Sequence, residues 1–218
     1  MAAEGSGLNA PAAAVTRLVV PDGAHLAAYD AALARGYLPA SNRGAELAAE
    51  HRRLIAEDPA GLLARMHDPD GRGPVVVTPD GSQHRRIPST QRWMFDGPGG
   101  DEPGGFVGSI SLRWNFEHAP LPTHVLGHIG YSVVPWAQRR GHATRALGLM
   151  LAIAREQGFE RVEITTDLDN AASQKVILAN GGVLVGEFDK GPAWLHSQGL
   201  RFVVELGSAH GANSTNSA

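Results

Sequence analysis

The sequence contains no cysteine. That absence removes disulfides, thiolate-held metals and a cysteine nucleophile together. No run approaches the roughly 20 apolar residues that a membrane-spanning helix needs. Positive charge is not in excess. Nineteen Lys and Arg face 22 Asp and Glu, for a formal charge of −3 and a pI near 6.3, so there is no electrostatic case for a nucleic-acid partner. Arg85-Arg86, set among Ser82, Gln83 and Pro88, reads as a solvated loop. Neither a GxxxxGK[ST] loop nor a GxGxxG turn after a strand occurs, which argues against P-loop and dinucleotide enzymes. There are ten histidines, but only His118, His124 and His128 cluster, around a loop holding Pro120 and Pro122. Without HExxH or paired acids, no metal site is expected. No internal repeat occurs.

What is present is an ordinary globular composition of one-domain length, 43% hydrophobic over 218 residues. Met1 to Ala14 is small and apolar without a basic leader, and 207–218 is polar and small. Residues 1–15 and 207–218 are expected to be flexible tails around a domain at 16–206. Leu18–Val20 predicts a strand stopped by Pro21-Asp22-Gly23, followed by helices over 25–33 and 45–55 and a short strand at 75–77. Ser82–Thr90 reads as loop. Trp93–Phe95 and Phe106–Arg113 predict a hairpin, with Phe106, Gly108, Ile110 and Leu112 on one face. The run from Gly97 to Gly105 is its tip and a candidate cover for a substrate. A strand over 127–134 ends at Pro135, and Ala143, Ala146, Leu147, Met150, Leu151 and Ala154 mark a helical stripe stopped by Gly158. A strand at 162–166, a helix capped by Asn170 and ended by Gly181-Gly182, and strands at 183–185 and 202–204 complete a mixed α/β domain.

The stretch from Tyr131 to Thr144 carries the most chemistry. A strand runs into Pro135, then a charged loop with Gly141, then a long helix. The first turn of a helix has N–H groups without internal partners and the positive end of the macrodipole, which suits phosphate. Arg139 and Arg140 would add charge there, and Gly141 would allow close backbone approach. The residues alone leave this open against a plain helix start with a solvated arginine pair.

Gln138-Arg-Arg-Gly-His-Ala143 resembles the Q/R-x-x-G-x-G/A signature of the GNAT N-acetyltransferase superfamily, at the strand-to-helix junction where that family has it. The ordered strand, loop, helix, strand, Asn170 helix and Gly181-Gly182 extend the resemblance over Gln91–Phe188. Gly127–Ser132 and Asn180–Gly182 are similar to a bacterial group of predicted acetyltransferases of mostly unassigned substrate. The resemblance implies a twisted mixed sheet flanked by helices that splays around acetyl-coenzyme A. Backbone amides of Arg139, Arg140, Gly141, His142, Ala143 and Thr144, with Gln138 opening the motif, would hold the pyrophosphate. Val133 and Val134 would pair with the pantetheine arm, and Asn170 would be a second contact. The N–H of Val134 would meet negative charge developing on the thioester oxygen.

Two positions depart from the pattern. His142 stands where an aliphatic residue is common, with little expected effect. Ile177 stands seven residues after Asn170, where many members carry a tyrosine that protonates the leaving thiolate. Ser173, on the same helix, is a candidate replacement. An attacking amine must also lose a proton, and the strand ending at Val134 offers His128 and Tyr131, on opposite faces. His128 has the better pKa for a base at neutral pH, set against a plain core histidine. Glu117, His118, Glu163 and Asp167 are further candidates. The expected activity is direct acetyl transfer to a small-molecule primary amine in the cytoplasm, with a homodimer among the assemblies open to the chain. The alternatives are a protein or peptide amine, or a coenzyme A-binding protein without turnover.

Overall fold

Strands of the central sheet are two-faced, and the two faces receive different helices. The computed structural model describes residues 15–40, 43–97 and 105–207. In chain order the elements are β1 (Thr16–Val19), α1 (Leu26–Ala34), α2 (Gly44–Glu57), α3 (Pro59–Met66), β2 (His67–Asp68), β3 (Val76–Val77), β4 (Gln83–His84), β5 (Ser89–Asp96), β6 (Phe106–Arg113), β7 (Ile129–Val133), α4 (His142–Glu156), β8 (Arg161–Asp167), α5 (Ala171–Leu178), β9 (Val183–Asp189) and β10 (Gln198–Glu205). The predicted hairpin is β5–β6; its tip, 98–104, and the tails at 1–14 and 208–218 lie outside the described residues.

One sheet runs β1-β5-β6-β7 with β2 also on β5, a second runs β8-β10-β9, and β3 pairs with β4. Every ladder among the described residues is antiparallel. The α/β class stands, with two sheets where one continuous twisted sheet was expected. Three elements went unforeseen: α3, β2 and β4. The segment 82–90, read as loop, contains β4 and the start of β5. Helix α3 begins at Asp58, whose carboxylate accepts the Gly61 N–H at 2.9 Å, with Pro59 in the first helical position. That Asp-Pro pair is an N-terminal signal in the sequence.

Thr16 and Asp96 pair across β1–β5, and Thr16 Oγ1 meets His142 Nδ1 at 2.9 Å, so α4 lies on the face that carries Met94, Ile110, Leu112 and Tyr131. The helix contributes Ala146, Leu147, Met150 and Ala154, all fully buried. The opposite face carries Trp93 and Phe95, and α1 covers it: Tyr29 stacks on Trp93 with ring centroids 4.6 Å apart. Phe106 belongs to this second face, edge-on to Tyr29 and Tyr37. It was expected beside Gly108, Ile110 and Leu112. A register shift between Met94 and Phe95 leaves Val107 unmatched and turns Phe106 over.

Gly108 sits at that shift with φ +155°, and a Cβ there would lie 2.2 Å from the carbonyl oxygen of Ser132 on β7. Because backbone cannot yield, Gly108→Ala is expected to cost roughly 2–3 kcal/mol. Gly186 has a similar φ of +152° but no atom within 4 Å of such a Cβ, so Gly186→Ala should cost less than half as much. Urea denaturation of both variants checks this; equal losses would assign the effect to backbone conformation instead of the β6–β7 contact.

Candidate active site

The two sheets touch at one seam and part beyond it. His128 N–H donates to the Glu163 carbonyl at 2.7 Å, and Thr165 Oγ1 donates to the Leu126 carbonyl at 3.2 Å. No ladder joins β7 to β8 among the described residues. Antiparallel strands direct the N–H and C=O of alternate residues to opposite sides. Val134 N–H donates inward to Val107 at 2.9 Å, and Arg113 N–H donates to His128 at 2.9 Å. In that register the backbone groups of Tyr131 and Val133 point the other way, into the gap toward β8.

This separates two residues that the sequence could not. Val133 faces the gap, and its carbonyl is reached by Gln138 Nε2 at 3.3 Å. Val134 does not: its N–H is spent within the sheet, so it is not the donor for a developing oxyanion. On this stretch the N–H groups of Tyr131 and Val133 are the ones that face the gap.

Beyond Val133 the chain passes Pro135 and the loop to α4. Arg139 has φ +62°, and Gly141, at the helix N-cap, has φ +79°. Gly141 has no side chain to cap the helix, so the first-turn N–H groups of His142, Ala143 and Thr144 have no side-chain acceptor at the cap; Arg145 N–H is the first to close a helical bond, to Gly141 at 3.1 Å. A fifteen-residue helix with an open N-terminus suits a phosphate.

The loop is clamped from below. Arg140 Nη2 lies 2.6 Å from Asp96 Oδ2, and Arg145 bridges the Arg140 carbonyl at 2.7 Å and Thr16 Oγ1 at 2.9 Å. Thr16 Oγ1, which accepts from Arg145, lies 2.9 Å from His142 Nδ1, and His142 Nε2 lies 3.8 Å from Asp96. Burial outweighs Asp96 and pulls the His142 pKa below the usual histidine value. His142 therefore has a structural task, and only its backbone is turned to the loop. Arg140 pairs with Asp96, whereas Arg139 pairs with no carboxylate among the described residues; both are exposed. Nothing local in the sequence announces this clamp, since Thr16, Asp96 and His142 are far apart along the chain.

Of the three expected catalytic side chains, two come together. Tyr131 Oη lies 2.9 Å from Ser173 Oγ at the start of α5. Burial raises the Tyr131 pKa, so the phenol keeps its proton and suits an acid better than a base. Asn170 caps α5 by accepting the Ser173 N–H at 3.0 Å, as expected. His128 is corrected: its Nδ1 accepts the Glu163 N–H at 2.9 Å, so Nδ1 is unprotonated and occupied and the proton sits on Nε2. Burial lowers its pKa as well. No free lone pair remains for a base. Among the other candidates Asp167 is paired with Lys190, and Glu163 lies 3.8 Å from Arg201. Ile177 is fully buried in the core.

The match to the acetyltransferase (GNAT) domain model covers residues 51–183, more than half of the chain. The chain belongs to the GNAT acetyltransferase family. Solved structures share the fold. The microcin C7 self-immunity acetyltransferase MccE, in complex with acetyl-CoA and AMP, aligns with a TM-score of 0.54 at 13% identity, over 87% of this chain and 92% of that one. RimL, a ribosomal L7/L12 α-N-protein acetyltransferase in complex with coenzyme A, aligns with a TM-score of 0.54 at 17% identity, over 87% and 93%. An acetyltransferase from Salmonella typhimurium that modifies the N-terminal serine of L7/L12 gives 0.51 at 15%, over 87% and 94%. No curated protein matches the chain.

Burial of its histidines is expected to make this GNAT domain acid-sensitive. His128 and His142 have depressed folded-state pKa values, while in the unfolded chain each protonates near 6.5. Below that pH the unfolded state binds more protons, so stability is full above about 6.5 and is lost as pH falls toward the folded-state values. The urea midpoint is expected to drop from pH 7.5 to 5.5, and to drop less in His142→Gln. His51 and His124 shift in the same direction, so part of the fall should persist.

Proposed function

We propose that this GNAT enzyme transfers an acetyl group from acetyl-coenzyme A directly to a primary amine of a small molecule in the cytoplasm. The observation that carries the reading is the free edge of β7, at Tyr131 and Val133, leading into the open N-terminus of α4 at Gly141. Acetyl-CoA supplies the acetyl group as an activated thioester. The backbone of Val133 pairs with the pantetheine amides, and the amides from Arg139 to Thr144, with the Arg139 side chain, hold the pyrophosphate. Asn170 and Gln138 border the same gap. The Tyr131 N–H meets charge building on the thioester oxygen. Tyr131, hydrogen-bonded to Ser173, gives a proton toward the departing sulfur in place of the side chain that Ile177 cannot provide. With His128 occupied, the amine proton goes to water. Among the described residues no helix is long and apolar enough to cross a membrane. The exposed apolar edge Val183-Leu184-Val185 on β9 supports a homodimer.

Calorimetry with acetyl-CoA and thiol release across a panel of amines test the reading. Gly141→Val, if folded, is expected to weaken acetyl-CoA binding more than tenfold, because a β-branched residue cannot hold a φ of +79° beside the cofactor. Unchanged affinity in that variant would refute the loop assignment. Tyr131→Phe should lower kcat about 10²-fold with cofactor affinity unchanged. With water taking the amine proton, kcat/KM should climb with pH toward the amine pKa of about 10, and His128→Gln should keep that profile. A profile that levels off near pH 6.5 and is lost in His128→Gln would restore His128 as the base.

A further inference from the structure

Beside the aromatic cluster under α1, the same face of the central sheet turns polar along β6 and β7, where a helix-covered sheet face is normally apolar. Direct pairings place Gln91, Ser111 and Gly130 in one row, and Trp93, Ser109 and Ser132 in the next. Arg113 continues that face, two residues beyond Ser111 and opposite Ser89. Tyr37 Oη satisfies Ser109 and Ser132 at 2.8 and 2.6 Å. Arg113 is not satisfied. Its Nε is shut off from solvent without a hydrogen-bond partner, and no hydrogen bond or ion pair engages its guanidinium among the described residues.

The cations and imidazole near it have other tasks. Arg86 lies 3.3 Å from Asp68 and donates to the Arg65 carbonyl at 2.7 Å, while His128 is neutral and held by Glu163. Burial and Arg86 lower the Arg113 pKa, yet a guanidinium stays charged. The side chain lies against Gly130: a Cβ there would be 2.5 Å from Nη2. Gly130 is the neighbour of Tyr131, whose backbone opens into the gap. A half-buried cation whose innermost N–H has neither an acceptor nor a counter-charge beside it is costly. On the same face Trp93 Nε1 is a second buried donor without an acceptor.

We propose that Arg113 holds an oxyanion of the acceptor, so that the acceptor of this GNAT enzyme is an amine that also carries a carboxylate or phosphate a few atoms away. The planar guanidinium fork suits both groups. The inference rests on the acetyl-transfer reading above, and it identifies the substrate class for the same site.

The experiment compares matched acceptors with and without the anion: glycine with methylamine, β-alanine with ethylamine, γ-aminobutyrate with propylamine, and phosphoethanolamine with ethanolamine. Thiol release from acetyl-CoA is the readout. At least one anionic member should be preferred more than tenfold in kcat/KM, through KM. Arg113→Met should collapse that preference and leave the acetyl-CoA dissociation constant unchanged, and Arg113→Lys should restore part of it. A carboxylate or phosphate winner names the oxyanion. A direct readout is the Nε–Hε resonance of Arg113 in the wild-type protein, identified by its loss in Arg113→Lys. It is expected to shift on adding the anionic member and not its amine counterpart. Equal kcat/KM within every pair, or an Arg113 resonance unmoved by every anionic compound, would overturn the proposal. Failure of acetyl-CoA to bind at all would instead sink the acetyl-transfer reading, which the resonance does not depend on.

Discussion

The backbone of Tyr131 and Val133 is the constraint on which the rest of the site depends. A strand edge left without a partner has N–H and C=O groups that must find acceptors and donors elsewhere. Here the edge lies between two sheets, and the protein holds it open instead of closing it. At one end, the His128 and Leu126 contacts to Glu163 and Thr165 pin β7 beside β8. Farther along, Tyr131 reaches across to Ser173 on the helix that follows β8. The two sheets are thus joined by the backbone bond at His128 and by side chains, and among the described residues no ladder consumes the edge. A thioester-bearing ligand with amide groups in an extended arm can take the place of the missing strand, as peptides do at sheet edges.

The same geometry explains why the helix after β7 must start as it does. Phosphate binding needs the first-turn N–H groups unfilled, which excludes the Ser, Thr or Asp cap that would stabilise the helix by about 1 kcal/mol. Gly141 provides the left-handed turn and no competing acceptor. The clamp of Asp96, Thr16, His142 and Arg145 compensates from the opposite side, fixing the loop to β1 and β5. His142 shows how burial can reassign a residue: at the position of a binding motif, it works as a packed neutral imidazole.

How much of this could be read in the sequence follows the range of the interactions. The strand, loop and helix around Gly141 and the Asn170 cap depend on neighbours a few residues apart, and both were legible. Helix α3 was equally local, and its Asp58-Pro59 start was a signal passed over. The fate of His128 was not local. Whether its Nδ1 is free depends on the Glu163 N–H, thirty-five residues on. The distinction between Val133 and Val134 required knowing which hydrogen-bond parity β7 takes against β6, and alternation of side chains says nothing about that. The polar face was half legible: Ser109, Ser111 and Arg113 alternate in plain view, but only the pairing with Gln91, Gly130 and Ser132 makes them a surface.

Ile177 brings these strands of evidence together. The position is fully buried and a Cβ on Gly182 would strike its Cγ2 at 2.3 Å, so an aliphatic side chain packs against the turn after α5 where a phenol would need an acceptor. A proton donor at Tyr131, as proposed, would have a different support. A tyrosine on a strand beside the gap is held by the sheet itself, and the Ser173 hydroxyl that steadies it is set by the Asn170 cap of α5. Burial keeps that phenol protonated, which is the state an acid must start from. The helix cap, the strand edge and the side chain at 177 are therefore one arrangement in the proposed mechanism: the donor would stand on the strand, and the helix would orient it through Ser173.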